Sequence, residues 1–327
     1  MNGALVISLD FEGAWGVRPI APGAPILDNL RGEREGIRRT LELFRRHDVA
    51  ATWATVGFLF ARSREDLAKF SPARRPRYAN RRLFPYDETV GHGPKDDPFH
   101  FAPDVIEQIQ ATPRQDVETH TFSHYYCLEH GQDFADFDAD IEAATVMAKR
   151  DGVTLKSIVF PRNQRNPAYD EVLLRHGIRC YRGNQRNWIW KARRHGEHGY
   201  LARAGMLVDT YVEAFGSLTI PWHQLRQSSG LVDVPASAFV GAYQQKRAAL
   251  EPLRRARVLR MLRHAARKGE IAHLWWHPYN FGRHTEANLA FLTAILEEHV
   301  RLRHRHGMES LTMAEVAQRV SEERAAA

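Results

Sequence analysis

The sequence predicts an α/β fold in which parallel β-strands alternate with helices. Residues 4–11 form an almost unbroken apolar run, which is typical of a strand buried on both faces of a parallel sheet. Residues 33–47 carry apolar side chains at helical spacing, with arginines between them. Because strand and helix patterns keep alternating, right-handed crossovers should build one sheet, either open or closed into a barrel.

The elements follow in chain order. After strand 4–11 and helix 33–47, we expect the second strand and its exit over residues 49–60. Five prolines break the chain between residues 61 and 101, so a loop-rich insertion that contacts substrate is expected there. The later elements are predicted at helix 103–110, strand 116–119, helix 137–150, strand 157–160, helix 169–176, strand 178–181, strand 271–276 and helix 285–302. Without a repeat or linker, residues 1–327 are expected to form a single domain.

The composition is that of a globular protein, with 43% hydrophobic and 26% charged residues. Cys127 and Cys180 are far apart, which excludes a Cys-x-x-Cys metal or redox motif. The first residues show no signal-peptide pattern, and no apolar run is long enough to span a membrane. We therefore expect a cytoplasmic protein.

Polar residues follow three of the predicted strands. Asp10 and Glu12 close the first strand, His120 and His124 follow strand 116–119, and His277 follows strand 271–276. In a parallel β/α barrel these strand ends share one face, where active sites are built. The three groups are therefore expected to converge.

Two histidines four residues apart can bind one metal ion, but this spacing alone is weak evidence among 17 histidines. The carboxylates add weight, because side chains at i and i+2 of a strand point the same way and two buried carboxylates need a cation. Two histidines and one carboxylate can hold a catalytic zinc ion, which leaves the second carboxylate as a base. His277 could protonate a leaving amine, with Asp209 as a candidate partner.

These residues resemble the motifs of the NodB-homology polysaccharide deacetylases, which form carbohydrate esterase family four. Residues 8–13, Ser-Leu-Asp-Phe-Glu-Gly, resemble the family motif Thr-Phe-Asp-Asp-Gly, and residues 120–124 match His-Ser/Thr-x-x-His in full. Residues 160–164 and 275–277 resemble two later motifs loosely. The resemblance spans residues 4–280 and implies a distorted (β/α)7 barrel that binds one divalent metal ion, with Zn²⁺ expected.

The resemblance also implies a role for six residues: metal binding by Glu12, His120 and His124, proton transfer by Asp10 as base and His277 as acid, and pairing of the base with Arg162. The family has two adjacent aspartates where this chain has Asp-Phe-Glu. The opposite assignment, with Glu12 as the base and Asp10 as the metal ligand, therefore stays open. Arg162 follows a proline, whereas the arginine of the family precedes one. An oxyanion-binding backbone amide is expected at Asn163 or Gln164.

The activity implied is hydrolysis of the N-acetyl group of an amino sugar, in a surface polysaccharide or its activated precursor. Two alternatives stay open. The metal site could hydrolyse a different amide, as a deformylase or an allantoinase-like enzyme does, or the chain could be a non-catalytic glycan-binding protein. No basic motif interleaved with aromatic residues indicates nucleic acid as a partner.

Two basic segments remain. Residues 182–188 are rich in amide and guanidinium groups, as expected of a polar sugar or phosphate site or of a solvated loop. Residues 251–270 carry seven Lys and Arg against two Glu, with Leu253, Leu259, Leu262 and Ala266 available to pack. This second pattern indicates a solvated helix face or peripheral contact with an anionic membrane. A nucleotide-linked or lipid-linked acetamido sugar is therefore the expected substrate.

Overall fold

A computed structural model describes residues 1–18, 24–185, 211 and 218–326 of the chain. Its centre is a curled sheet of parallel strands in the order β6-β5-β4-β3-β2-β1-β8-β7, with β9 beside β1. The strands are β1 Ala4–Phe11, β2 Ala51–Thr55, β3 Gln115–Thr119, β4 Ser157–Ile158, β5 Cys180–Tyr181, β6 Val232–Asp233, β7 Ala238–Phe239, β8 Ile271–Trp276 and β9 Glu309–Leu311.

Helices connect the strands and cover the outside of the sheet. In the described part of the chain they are α1 Gly13–Val17, α2 Ala24–His47, α3 Arg64–Phe70, α4 Pro103–Ala111, α5 Phe134–Arg150, α6 Asp170–Arg175, α7 Glu251–Lys268, α8 Thr285–His306 and α9 Met313–Ala326. None of the helices in these residues is both long and apolar enough to cross a membrane.

The predicted type of fold is confirmed, with nine strands in the described residues instead of seven. β1 and β8 have the predicted bounds, because each is a long apolar run. The strands that the sequence analysis missed are β6, β7 and β9, which are two or three residues long and too short to show a periodic pattern. The stretch 61–101 contains a helix, α3, that was not predicted.

The hydrophobic core lies between the outer face of the sheet and the helices. All eight residues of β1 are buried, and Leu9 pairs in register with Trp53 of β2 and Trp276 of β8. The ring of Trp276 stacks on Phe281 at 5.4 Å and meets Phe44 of α2 edge-on at 6.3 Å. This packing fixes β1 at the centre of the sheet. Because all strands are parallel, the loops after β1, β3, β4, β5 and β8 emerge at the same end of the barrel.

Candidate metal centre

The carboxylate of Glu12 and the imidazoles of His120 and His124 converge at that end of the barrel. Oε2 of Glu12 lies 3.0 Å from Nε2 of His124 and 3.4 Å from Nε2 of His120. The three ligand atoms lie within 4.8 Å of one another, and all three residues are buried. One ion can bridge this spacing, since metal–ligand distances of about 2 Å place the ligand atoms of a tetrahedral site about 3–4 Å apart.

A tight loop after β3 presents the two histidines. Thr121 and His124 have positive φ angles of 65° and 57°, so the chain turns back and both imidazoles face the carboxylate. Asp140 of α5 holds this loop by accepting hydrogen bonds from the backbone N–H of Phe122 at 2.7 Å and of Ser123 at 3.2 Å. The Ser123 hydroxyl donates to the same carboxylate. Despite these hydrogen bonds, burial raises the pKa of Asp140 to about 7.

Each histidine is oriented through its Nδ1 atom. Nδ1 of His120 lies 2.8 Å from the carbonyl oxygen of Val159, and Nδ1 of His124 lies 3.0 Å from the hydroxyl of Tyr126. Burial lowers the pKa of His124 to about 4, against the opposing effect of Glu12. The imidazole is therefore neutral at pH 7, which is the form that binds metals.

Asp10 is held by an arginine from the opposite side of the barrel. Nη1 and Nη2 of Arg182 donate to Oδ1 and Oδ2 of Asp10 at 2.6 and 2.7 Å. The side chains are 0% and 5% exposed, respectively, so this is a fully buried bidentate pair. Burial alone would raise the pKa of Asp10, but the Arg182 guanidinium outweighs it and lowers that pKa below its ordinary value. Asp10 is therefore an ionised carboxylate.

Arg182 is itself fixed on several sides. Its Nη1 donates to the hydroxyl of Ser8 at 3.0 Å, its Nη2 donates to Oδ1 of Asn163 at 3.0 Å, and its guanidinium lies 4.2 Å from the ring centre of Trp275. The Ser8 hydroxyl lies 2.8 Å from Nε2 of His273. Burial and the charge of Arg182 lower the pKa of His273 to about 3, so this histidine is neutral and can accept the hydroxyl proton of Ser8.

His277 completes the site from the end of β8. Its Nε2 lies 3.6 Å from Oε1 of Glu12 and 3.9 Å from Oδ2 of Asp10, and its ring stacks on that of Tyr279 at 5.0 Å. The side chain is 22% exposed, so it lies on the solvent side of the two carboxylates. Its expected partner, Asp209, lies outside the described residues.

The predicted pairing of Arg162 with the base is wrong, because Arg182 contacts both oxygens of Asp10. The guanidinium of Arg162 lies 5.7 Å from the ring centre of Tyr126 instead. Arg162 and Asn163 have consecutive positive φ angles of 53° and 54°. This reversal of the chain after β4 brings the Asn163 side chain to Arg182 and leaves Arg162 beside the histidine loop.

The expected oxyanion-binding amides also have other partners. The N–H of Asn163 donates to the carbonyl of Phe160 at 2.8 Å, and the N–H of Gln164 donates to the carbonyl of Pro161 at 3.1 Å. Both amides are used by the 3₁₀ turn Pro161–Asn163 and its exit. The prediction that one of them binds an oxyanion is therefore wrong for this conformation.

The donor set fits a divalent metal ion. Glu12, His120 and His124 offer one carboxylate oxygen and two imidazole nitrogens, the ligands of catalytic zinc sites with an open position. Both histidines have a hydrogen-bond partner at the other ring nitrogen, which is the usual outer support of a metal-binding histidine. A buried carboxylate such as that of Glu12 is also costly without a compensating charge, which a bound cation would supply.

Neither a family model nor a curated protein sequence matches this chain. Solved structures match its fold. One assigned as a polysaccharide deacetylase of Mycobacterium smegmatis aligns with 99% of this chain and 92% of its own, at 13% identity and a TM-score of 0.57. A second, from Pseudomonas aeruginosa PAO1, covers 98% and 90% at 11% identity and a TM-score of 0.55.

The chain has the polysaccharide-deacetylase fold. The fold is shared with an enzyme of different chemistry, since PuuE allantoinase aligns with 96% of this chain and 88% of its own at 11% identity and a TM-score of 0.54. At such low identities the comparisons describe the fold, and the activity must be argued from the site.

Sequence reasoning placed Arg182 in a possible sugar or phosphate segment, of which residues 186–188 lie outside the described residues, and missed the contacts of Arg182, Ser8 and His273 around Asp10. One signal was present, since Arg182 directly follows the buried strand β5 in the same way that His120 follows β3. Ser8 and His273 lie within apolar strands on the side that faces the barrel interior, where a polar residue needs a partner.

Proposed function

We propose that the protein is a metal-dependent hydrolase that removes the N-acetyl group from an amino sugar of a surface polysaccharide or of its activated precursor. One observation carries the proposal. A buried three-ligand group, Glu12 with His120 and His124, lies beside a carboxylate, Asp10, that is held ionised by an arginine and is not part of that group. The shared fold with polysaccharide deacetylases supports the choice of substrate class.

A divalent ion in this centre, most simply Zn²⁺, would supply Lewis acidity that polarises an amide carbonyl and acidifies water. Asp10 would act as the base, because it is ionised and able to accept a proton, and its Oδ2 faces the interior of the site toward His277. Arg182 would keep that carboxylate ionised and fix its direction. His277 would give a proton to the departing amine from the solvent side, where the sugar must enter.

Metal content and acetate release together test the proposal. Purified protein should hold about one equivalent of zinc and release acetate from N-acetylglucosamine oligomers. His120→Ala should lose both metal and activity, because one of three ligands is gone. Asp10→Asn should keep the metal and lose about 10²–10⁴-fold in rate. His176→Ala is the matched control and should retain both metal and activity, because His176 pairs with Asp138 on α5.

A metal-loaded protein that releases no acetate from any acetamido sugar would reject the deacetylase assignment. The fold shared with an allantoinase keeps a second candidate open, a C–N hydrolase that acts on a small cyclic or linear amide. Parallel assays with allantoin and with formyl amides separate the two, since acetate is the product only in the first case. Stoichiometric glycan binding without turnover, unchanged in His120→Ala, would instead indicate a glycan-binding protein.

A further inference from the structure

An exposed apolar and basic segment lies outside the metal centre. Among the described residues four large hydrophobic side chains are markedly exposed, and two of them, Leu250 at 38% and Leu253 at 51%, are three residues apart. The 3₁₀ helix Gln245–Leu250 buries no residue at all. We refer to residues 245–256, this 3₁₀ helix and the start of α7, as the tip. The expectation that Leu253 packs is therefore wrong, whereas Leu262 and Ala266 of the same helix are buried.

The tip lies at the end of the barrel that carries the candidate metal centre. β7 and β8 are parallel and His277 follows β8, so the chain that leaves β7 at Phe239 emerges at the same end. α7 then runs back from the tip to the start of β8. The ring of Phe239 lies 5.9 Å from that of His277, which places the approach to the tip beside the site. Whatever binds the tip therefore faces the catalytic end.

The charge around the tip is strongly positive. Residues 245–256 contain four Lys and Arg and one acidic residue, Glu251. Glu251 pairs at 2.6 Å with Arg254, whose own side chain is 6% exposed, so this acid does not offset the outer cations. Lys246 and Arg255 are exposed on either side of the leucines. Within the part of the chain that the structure describes, neither Lys246 nor Arg255 forms an ion pair, so the tip presents apolar side chains next to uncompensated positive charge.

We propose that the tip docks on an anionic lipid bilayer, with Leu250 and Leu253 entering the interface and Lys246 and Arg255 contacting lipid phosphates. Exposed leucines flanked by cations are the combination that peripheral membrane segments use. A polyanion such as nucleic acid would attract the cations but would leave the leucines in water. Twelve residues are also fewer than the roughly 20–30 on each side of a stable protein interface.

Docking determines which substrate the catalytic end meets, and this step rests on the proposed function. A bilayer bound at the tip lies next to the opening beside His277, so the sugar is presented on a lipid carrier embedded in that bilayer. Between the two activated precursors expected from the sequence, the tip therefore favours the lipid-linked acetamido sugar over the nucleotide-linked one. The two parts are separable, because vesicle binding needs neither metal nor turnover.

Vesicle binding of the full-length protein tests the docking. Sedimentation with phosphatidylcholine vesicles, with and without phosphatidylglycerol, should show binding only to the anionic vesicles. The double variant Leu250→Ser with Leu253→Ser should weaken this binding by about tenfold or more, since two apolar side chains lose their burial. Lys246→Glu and Arg255→Glu should each weaken it by about fivefold or more. Val146→Ser is the matched control, because Val146 is 50% exposed on α5.

A site-specific probe shows whether the tip itself enters the lipid. Both native cysteines are buried, so an environment-sensitive dye can be attached at Leu253→Cys and, as control, at Val146→Cys. We expect a blue shift on anionic vesicles only for the dye at residue 253. The proposal is overturned if the wild type ignores anionic vesicles, or if the leucine double variant binds like the wild type. An equal loss of vesicle binding in Val146→Ser also overturns the proposal. It is overturned as well if the wild type is a dimer, the leucine double variant is a monomer and the two bind vesicles equally.

Turnover separates this inference from the proposed function. Acetate release from a lipid-embedded acetamido sugar should show a KM raised about tenfold in the leucine double variant, with the rate on a soluble acetamido sugar unchanged. Equal KM values on the lipid-embedded sugar for the variant and the wild type would overturn the substrate assignment. If neither sugar is hydrolysed by the wild type, the proposed function fails, and the vesicle and dye experiments still decide the docking.

Discussion

Replacing Arg182 by methionine should reveal which arginine supports the base. The change leaves the Asp10 carboxylate, 5% exposed, without the two hydrogen bonds of 2.6 and 2.7 Å that hold it. Removing one partner of a buried pair costs about 3–5 kcal/mol, because the remaining charge is desolvated and unpaired. For 327 residues an unfolding entropy of about 2 cal/mol/K per residue converts this to a Tm lower by roughly 4–7 °C.

Thermal unfolding with a chelator present measures this effect without a contribution from metal binding. Arg162→Met is the matched control and should cost less than Arg182→Met, because Arg162 lies beside Tyr126 and both oxygens of Asp10 are already paired with Arg182. Adding Asp10→Asn to Arg182→Met should recover about 2 kcal/mol, because no uncompensated charge then remains in the barrel. A Tm for Arg182→Met within 1 °C of the wild type, or an equal loss in Arg162→Met, would refute the assignment.

Three further changes test other parts of the site. Ser8→Ala removes the hydroxyl between Arg182 and a buried histidine, and should lower the free energy of unfolding by about 1–3 kcal/mol in urea titrations. Asp140→Ala releases the backbone of the histidine loop, so competition with a chelator should show zinc affinity reduced by about 10–100-fold; unchanged affinity would mean that the loop is held by other contacts. Burial, with the nearby charge of Glu12, raises the pKa of Glu33 from its ordinary 4.5 to about 8. The folded state then keeps a proton that the unfolded chain releases, so stability should fall by up to about 5 kcal/mol as pH rises from 4.5 to 8. Urea titrations of chelated protein across this range should show a fall that is smaller in Glu33→Gln than in the wild type by this amount, because burial also raises the pKa of Asp140 to about 7 and of Glu118 to about 8 in both proteins.

The parts of the site that could be predicted from sequence are those in which neighbouring residues form a recognisable pattern. The acids at positions 10 and 12 end an apolar strand, and the histidines at 120 and 124 lie within one short loop. Their convergence needs only parallel strands with aligned carboxyl ends. The same reasoning located His277 at the end of β8.

The pairing of Arg182 with Asp10 could not be predicted in this way. β5 lies four strands from β1 in the sheet order, so the two residues meet only because the sheet curls and brings distant strands across the barrel interior. The curl also depends on β6 and β7, which are two residues long and too short to be predicted from a sequence pattern. Arg162 lies in residues 160–164, which resemble a family motif, and it was therefore assigned the contact that Arg182 makes.

Asp10 and Glu12 are separated by one residue, Phe11, and this spacing follows from the geometry of β1. Alternate residues of a strand point to opposite faces, so Ser8 and Asp10 share the inner face while Leu9 and Phe11 pack in the apolar layer outside. Glu12, just past the strand end, continues the inner series and reaches the histidines. With this spacing Asp10 and Glu12 both face the barrel interior, and Phe11 between them stays in the apolar layer. An acid at position 11 would instead point into that layer, so the geometry favours Asp10 and Glu12 as a pair acting on one centre.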